Sequence, residues 1–190
     1  MPTLYLFSGP NGAGKTTIAL RHVEREKKLI FLNADIIANQ LDPKDVDKQA
    51  IPAGRIMLKE LKKYISKAEL DIAFESTLSS KSFVNIINKS KRRGYKFFLI
   101  FISLKNYELA CARVLQRVEN GGHNIPEEII IRRFKKGRDN LKKIYIPLAD
   151  AFIVYDNSGF NPILVCESKK PSEITIINEQ IYNSIIFEED

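Results

Sequence analysis

Gly9-Pro10-Asn11-Gly12-Ala13-Gly14-Lys15-Thr16 fits the pattern G-x-x-x-x-G-K-[ST] without a mismatch, and Thr17 follows it. The stretch before it, Thr3-Leu4-Tyr5-Leu6-Phe7-Ser8, has the length and apolar character of a short buried strand. The stretch after it, Thr17 to Lys27, has the spacing of a helix. A strand-to-helix turn is the context this motif requires. Its glycines let successive N–H groups surround phosphate oxygens, and the helix N-terminus adds partial positive charge. Lys15 supplies a mobile cation, and the Thr16 hydroxyl is of the type that ligates Mg²⁺. The motif predicts a nucleoside triphosphate site formed by Gly9, Pro10, Asn11, Gly12, Ala13, Gly14, Lys15, Thr16 and Thr17.

The rest of the chain sets that turn in an α/β pattern. Apolar runs at residues 29–33, 71–75, 95–103, 151–155 and 163–166 alternate with amphipathic helical segments, which predicts a three-layer, mainly parallel sheet with helices on both faces. The run from Tyr95 to Ser103 is the most hydrophobic and is expected at the centre of the sheet. Helical stretches are expected over about 45–67, with Pro52 a break or restart, over 82–93 closed by Gly94, and over 106–119. In the last of these Leu109, Ala112, Val114, Leu115 and Val118 form the apolar side. Gly121-Gly122-His123-Asn124-Ile125-Pro126 interrupts, Pro126 opens a further helix, and a closing helix is expected from about Ser172.

With 190 residues, 44% of them hydrophobic and 28% charged, one compact α/β domain over 1–190 is the natural expectation. The net charge of +7 suits an anionic ligand without choosing between phosphorylated metabolites and nucleic acid. Cys111 and Cys166 lack metal-type spacing and read as reduced core residues. No apolar run has a membrane helix's length, and the phosphate loop begins too early to leave room for a signal peptide, so a cytoplasmic chain without membrane contact is expected.

In sheets of this kind ligands gather at the C-terminal ends of strands, and polar clusters fall there. Asp35, after the second strand, is placed either to accept a proton from an attacking hydroxyl or to cap the following helix. Glu75 ends the third strand, where it could hold Mg²⁺ through water, accept hydrogen bonds from substrate hydroxyls, or stand solvated. Thr77 either contacts substrate or turns the chain. Arg117, His123, Arg132 and Arg133 flank the glycine-punctuated break, as in a lid that closes over phosphates. The alternative for them is a solvated basic face. Arg132 and Arg133 are adjacent, so only one of them is expected to face the site. The loop Tyr155-Asp156-Asn157-Ser158 could flank a nucleotide base or be ordinary turn chemistry.

Taken in order, Gly9–Thr17, Asn33-Ala34-Asp35, Ala53-Gly54-Arg55, Glu75-Ser76-Thr77, Gly121–Glu127, Arg132-Arg133-Phe134 and Tyr155–Ser158 resemble the zeta-toxin family of P-loop kinases, over residues 3 to about 160. The resemblance implies transfer of the ATP γ-phosphate, with Mg²⁺, to a hydroxyl of a nucleotide-linked sugar such as UDP-N-acetylglucosamine. It also implies a toxin held by an antitoxin protein. By position, Lys15 and Thr16 would serve ATP and Mg²⁺, with Asp35 as general base. Glu75 and Thr77 would hold substrate, and Arg117 would contact the transferring phosphate. The second arginine of the better-known toxins falls here at His123, with Arg132 or Arg133 as substitute. That departure is similar to the shorter chromosomal members and leaves the acceptor open. The competing reading is a polynucleotide or nucleoside kinase, which the lack of a nucleic-acid-binding module disfavours.

Overall fold

The computed structural model describes residues 1–26, 28–122, 124–170 and 173–187. The apolar runs form a seven-stranded sheet in the order β2-β3-β1-β4-β5-β6-β7. The strands are β1 Thr3–Ser8, β2 Leu29–Leu32, β3 Asp71–Ser76, β4 Lys96–Ser103, β5 Ala151–Asp156, β6 Ile163–Ser168 and β7 Ile174–Ile176. The first five are mutually parallel, and β6 and β7 continue the sheet antiparallel. The most hydrophobic run is therefore the middle strand, as its composition predicts.

Because successive side chains on a strand point to opposite faces, each central strand feeds two cores. Leu4 and Leu6 of β1 and Phe97, Leu99 and Phe101 of β4 pack on one face against Met57, Leu61 and Ile65 of α3 (Val46–Lys67) and Ile86 and Ile87 of α4 (Val84–Arg92). Phe7, Ile100 and Ile102 pack on the other against Ala19 of α1 (Lys15–Val23) and Ala110 and Val114 of α5 (Tyr107–Glu119). Ile130 and Phe134 of α6 (Glu127–Asn140) join them. Leu141 and Tyr145, in the π-helical turn Leu141–Tyr145 that follows α6, belong to the first core. That stretch of chain thus ties the two faces together at the edge of the site.

Several expectations need correction. Pro52 neither breaks nor restarts α3, which runs unbroken for 22 residues. It sits on the exposed side near the N-terminal end, where water can serve the carbonyl it leaves unpaired, and Ala53, Met57, Leu61 and Ile65 supply a continuous buried stripe. Leu115 is 61% exposed and Ala112 is exposed too; Ala110 and Val114 are the residues α5 buries. The helix after the phosphate loop stops at Val23. The closing helix α8 spans only Glu179–Ile186, because the short strand β7 precedes it; the helix expected after Asp35 is α2 (Ala34–Leu41), and the three-residue α7 (Ile146–Leu148) was not foreseen. Cys166 is buried and Cys111 half-buried, both as free thiols. Among the described residues no helix is long and apolar enough to cross a membrane.

Two helical glycines give opposite expectations. A Cβ on Gly54 in α3 meets nothing within 4 Å, whereas one on Gly137 in α6 falls 2.5 Å from the Thr77 carbonyl oxygen. Alanine gains about 1 kcal/mol of helix propensity at either position. Gly54→Ala is therefore expected to raise the melting temperature by about 2–4 °C. Gly137→Ala is expected to lower it, since α6 must retreat from the loop after β3. Thermal unfolding followed by circular dichroism checks both; an equal gain in the two variants would refute the close packing of α6.

Candidate active site

The phosphate loop exists because β1 delivers the chain into a space too tight for a side chain. Gly9 has φ 141°, and a Cβ there would lie 2.1 Å from the Ile102 carbonyl oxygen of β4. Gly14, at φ 80°, is the residue that caps α1, and no side chain caps that helix end. No acidic side chain lies in its first turn either. The first-turn N–H groups, with the partial positive charge of the helix end, are thus left for an anion. Lys15 Nζ donates 2.8 Å to the Pro10 carbonyl oxygen and so lies across the loop.

The neighbouring strand ends close on this turn. Glu75, at the end of β3, accepts from Thr16 Oγ1 through Oε2 at 3.1 Å and from Asn33 Nδ2 through Oε1 at 2.9 Å. Burial raises the Glu75 pKa, with the Lys15 charge and these two hydrogen bonds acting against it. Lys15 is held down to about 8, chiefly by burial; Glu75 and Asp35 pull it back up, while Arg117 and Arg133 push it lower. Two carboxylates and two guanidinium groups are therefore within electrostatic reach of one ammonium.

The alternatives left by the sequence now separate. Asn33, not Asp35, caps α2: its Oδ1 accepts from the backbone N–H of Asp35 at 2.8 Å and of Ile36 at 3.2 Å. The exposed Asp35 carboxylate enters no hydrogen bond or ion pair among the described residues, which leaves it available to a ligand. Of the adjacent arginines, Arg132 is exposed, while Arg133 is half-buried and senses Asp35. Arg133 is the one that faces the site. Arg117 is exposed on the last turn of α5, and its charge bears on Lys15. His123 lies outside the described residues. The Thr77 hydroxyl hydrogen-bonds Ser79 Oγ at 2.9 Å, and its loop is pinned by Asn140 Nδ2 to the Leu78 carbonyl (2.6 Å) and by the Tyr145 hydroxyl to the Ser80 carbonyl (2.7 Å).

Sequence reasoning passed over Arg113 and gave Asn157 little weight. Asn157 Nδ2 donates to the Ala13 carbonyl oxygen at 2.9 Å, and Arg113 Nη1 donates to the Asn157 carbonyl oxygen at 2.6 Å. The one available signal for Arg113 was its position four residues, one helical turn, before Arg117. For magnesium the residues present fit a sparse site. Thr16 and Glu75 converge, yet no group of three or more His, Cys, Asp or Glu side chains gathers among the described residues. That suits an ion that keeps several waters and takes its other ligands from phosphate oxygens. Other clefts lie away from this site. One of about 460 Å³ between α3 and α4 is lined by Lys62, Lys89, Arg92 and Arg93. Another, of about 490 Å³, lies where α1 leaves Tyr5, Phe98, Ile153 and Tyr155 of the sheet uncovered.

The family model described as "Zeta toxin" matches residues 1–164. An uncharacterised protein of Haemophilus influenzae is 33% identical over 128 residues, which cover 67% of this chain and 89% of that protein. Among solved structures, one from the PezAT chromosomal toxin–antitoxin system of Streptococcus pneumoniae is 21% identical with a TM-score of 0.74, covering 100% of this chain and 80% of that one. A chain of the AvrRxo1-ORF1:-ORF2 crystal structure with ATP is 18% identical with a TM-score of 0.73, covering 97% of this chain; this chain spans 63% of its length. These likenesses show the P-loop kinase fold of zeta toxins.

The Lys15 environment generates a prediction about stability. Unfolded, the ammonium titrates near its ordinary value of 10.5; folded, near 8. Below pH 8 it is charged in both states and the folded protein carries the full penalty of burying it. Between pH 8 and 10.5 the folded state sheds its proton first and the penalty fades. Without nucleotide, Lys15→Met is expected to melt a few degrees above the wild type at pH 7, with the gap closing as pH rises through 8 toward 10. A gap that stays constant or widens over that range would contradict a buried, proton-shedding Lys15.

Proposed function

This chain belongs to the zeta-toxin family, and we propose that it is an ATP-dependent kinase that phosphorylates a hydroxyl of a nucleotide-linked sugar such as UDP-N-acetylglucosamine. The observation that carries this reading is the convergence on the uncapped start of α1. Lys15 lies there within electrostatic reach of Asp35, Glu75, Arg117 and Arg133, although these residues come from five separate elements. Phosphoryl transfer asks for little covalent chemistry from a protein. It asks for a donor phosphate held in line, a base for the incoming hydroxyl, and positive charge around the transferring group.

Each requirement has a candidate. The N–H groups of the phosphate loop and Lys15 hold the β- and γ-phosphates of ATP. Thr16, with Glu75 behind it, would hold Mg²⁺, which when bound neutralises charge on the phosphate oxygens. The Asp35 carboxylate takes the proton of the acceptor hydroxyl as the oxygen bonds to the γ-phosphorus. The bond from that phosphorus to the bridging oxygen breaks, and ADP leaves with its electron pair. Arg133 and Arg117 stabilise the charge spread over the transferring oxygens. Glu75 is tied to Thr16 and Asn33, which favours it as organiser of the site over free contact with sugar hydroxyls. Thr77 stands on the pinned loop after β3 and bounds the acceptor side. ATP in the AvrRxo1-ORF1:-ORF2 structure supports the donor. The toxin–antitoxin setting of PezAT supports an antitoxin protein as partner.

Asp35→Asn keeps the shape and removes the base. It is expected to lower transfer from labelled ATP to UDP-N-acetylglucosamine by about 10²–10⁴-fold, while the Kd for ATP stays within about twofold, since Asn33 continues to cap α2. Transfer by the variant at the wild-type rate would remove Asp35 from the mechanism. A screen in which only other nucleotide sugars, NAD or nucleosides accept phosphate would replace the acceptor while keeping the kinase.

A further inference from the structure

We infer that Asn157 is a positioning residue for the phosphate loop, locked by Arg113, and that it acts by turning the Gly14 N–H toward a bound phosphate. The inference rests on the kinase reading and adds a residue that reading does not use. In a planar trans peptide the carbonyl and the N–H point in opposite directions. Asn157 Nδ2 holds the Ala13 carbonyl oxygen at 2.9 Å from the side of β5. The N–H of that same peptide, on Gly14, must then point away from Asn157. Among the described residues it has no acceptor. Gly14 is in the left-handed region at φ 80°, and a Cβ there would come within 2.9 Å of Asn157 Nδ2. The amide thus fills the space a side chain would take and sets the orientation of the peptide.

An amide can do this only if it is itself fixed, and the loop that bears it is tied down from several sides. The Asn157 N–H donates to the Ser103 carbonyl oxygen at 3.0 Å. Arg113 donates from Nη1 to the Asn157 carbonyl at 2.6 Å and from Nη2 to the carbonyls of Ser158 (3.3 Å) and Gly159 (3.4 Å). The buried Asp156 carboxylate accepts from the Ser158 N–H and hydroxyl, and Ser158 Oγ accepts from the Lys105 N–H at 2.7 Å. One guanidinium serving three carbonyls is geometry that lysine cannot copy. The Arg113 side chain also leaves α5 beside the loop, since a Cβ on Gly12 would lie 3.0 Å from its Cβ.

The test is titration of ATP and, separately, of inorganic tripolyphosphate, both with magnesium, into the wild type, Asn157→Leu and Arg113→Lys. Leucine keeps the branched shape of asparagine at somewhat greater volume and loses the donor. Asn157→Leu is expected to weaken both ligands alike, by about three- to tenfold for one hydrogen bond. The KM for the sugar acceptor should stay unchanged and the melting temperature should stay close to the wild type. Arg113→Lys should fall between the two. Asn157→Ala serves if leucine distorts the loop. Wild-type affinity of the position-157 variant for both ligands overturns the inference. So does a loss confined to ATP with tripolyphosphate unaffected, which would make Asn157 a contact of the base. A wild type that binds neither ligand overturns the kinase reading and the inference together, so the two failures are distinguishable.

Discussion

The Glu75 carboxylate is the constraint on which the rest of the site depends. One oxygen takes the hydroxyl of Thr16 and the other the amide of Asn33, so a single group at the end of β3 fixes the first turn of α1 and the junction between β2 and α2. Burying a carboxylate is unfavourable unless its oxygens are bonded and a cation lies near, and both conditions are met here. The arrangement also explains Asn33. Its Nδ2 serves Glu75 while its Oδ1 caps α2, so one side chain joins the sheet to the helix that presents Asp35. Asp35 is thereby relieved of capping and left exposed at the mouth.

The fold was legible in the sequence because its signals are local. The phosphate-loop spacing, the length of each apolar run and the glycine-rich break after α5 are read within a few residues and map onto β1, the parallel strands and the α5–α6 gap. The errors arose where tertiary context overrides a local rule. Pro52 stays helical because the Ala53, Met57, Leu61 and Ile65 stripe is buried along the whole of α3 and outweighs the one lost helix bond. Leu115 looks apolar in sequence and is exposed because α5 needs only Ala110 and Val114 to cover its share of the sheet. The strand β7 was hidden by its brevity and by the exposure of its residues.

The site was legible by residue type and illegible by partnership. Lysine, threonine and two strand-end carboxylates announce phosphate chemistry wherever they follow such a loop. Which carboxylate is engaged and which stays free is decided by side-chain hydrogen bonds that span about 40 to 60 positions, from Asn33 and Thr16 to Glu75. The choice between Arg132 and Arg133 needed the rotation of α6, and Arg113 needed the proximity of α5 to the loop after β5, from Asn157 to Gly159. No local pattern carries such information.

On the proposed kinase reading, the electrostatics at Lys15 have a consequence for donor binding. Lys15 is bonded to the Pro10 carbonyl, with its charge disfavoured by burial and by Arg117 and Arg133. A triphosphate in the loop would offer the ammonium several oxygens in exchange for one neutral carbonyl. The phosphate would thereby offset the burial that disfavours the charged ammonium.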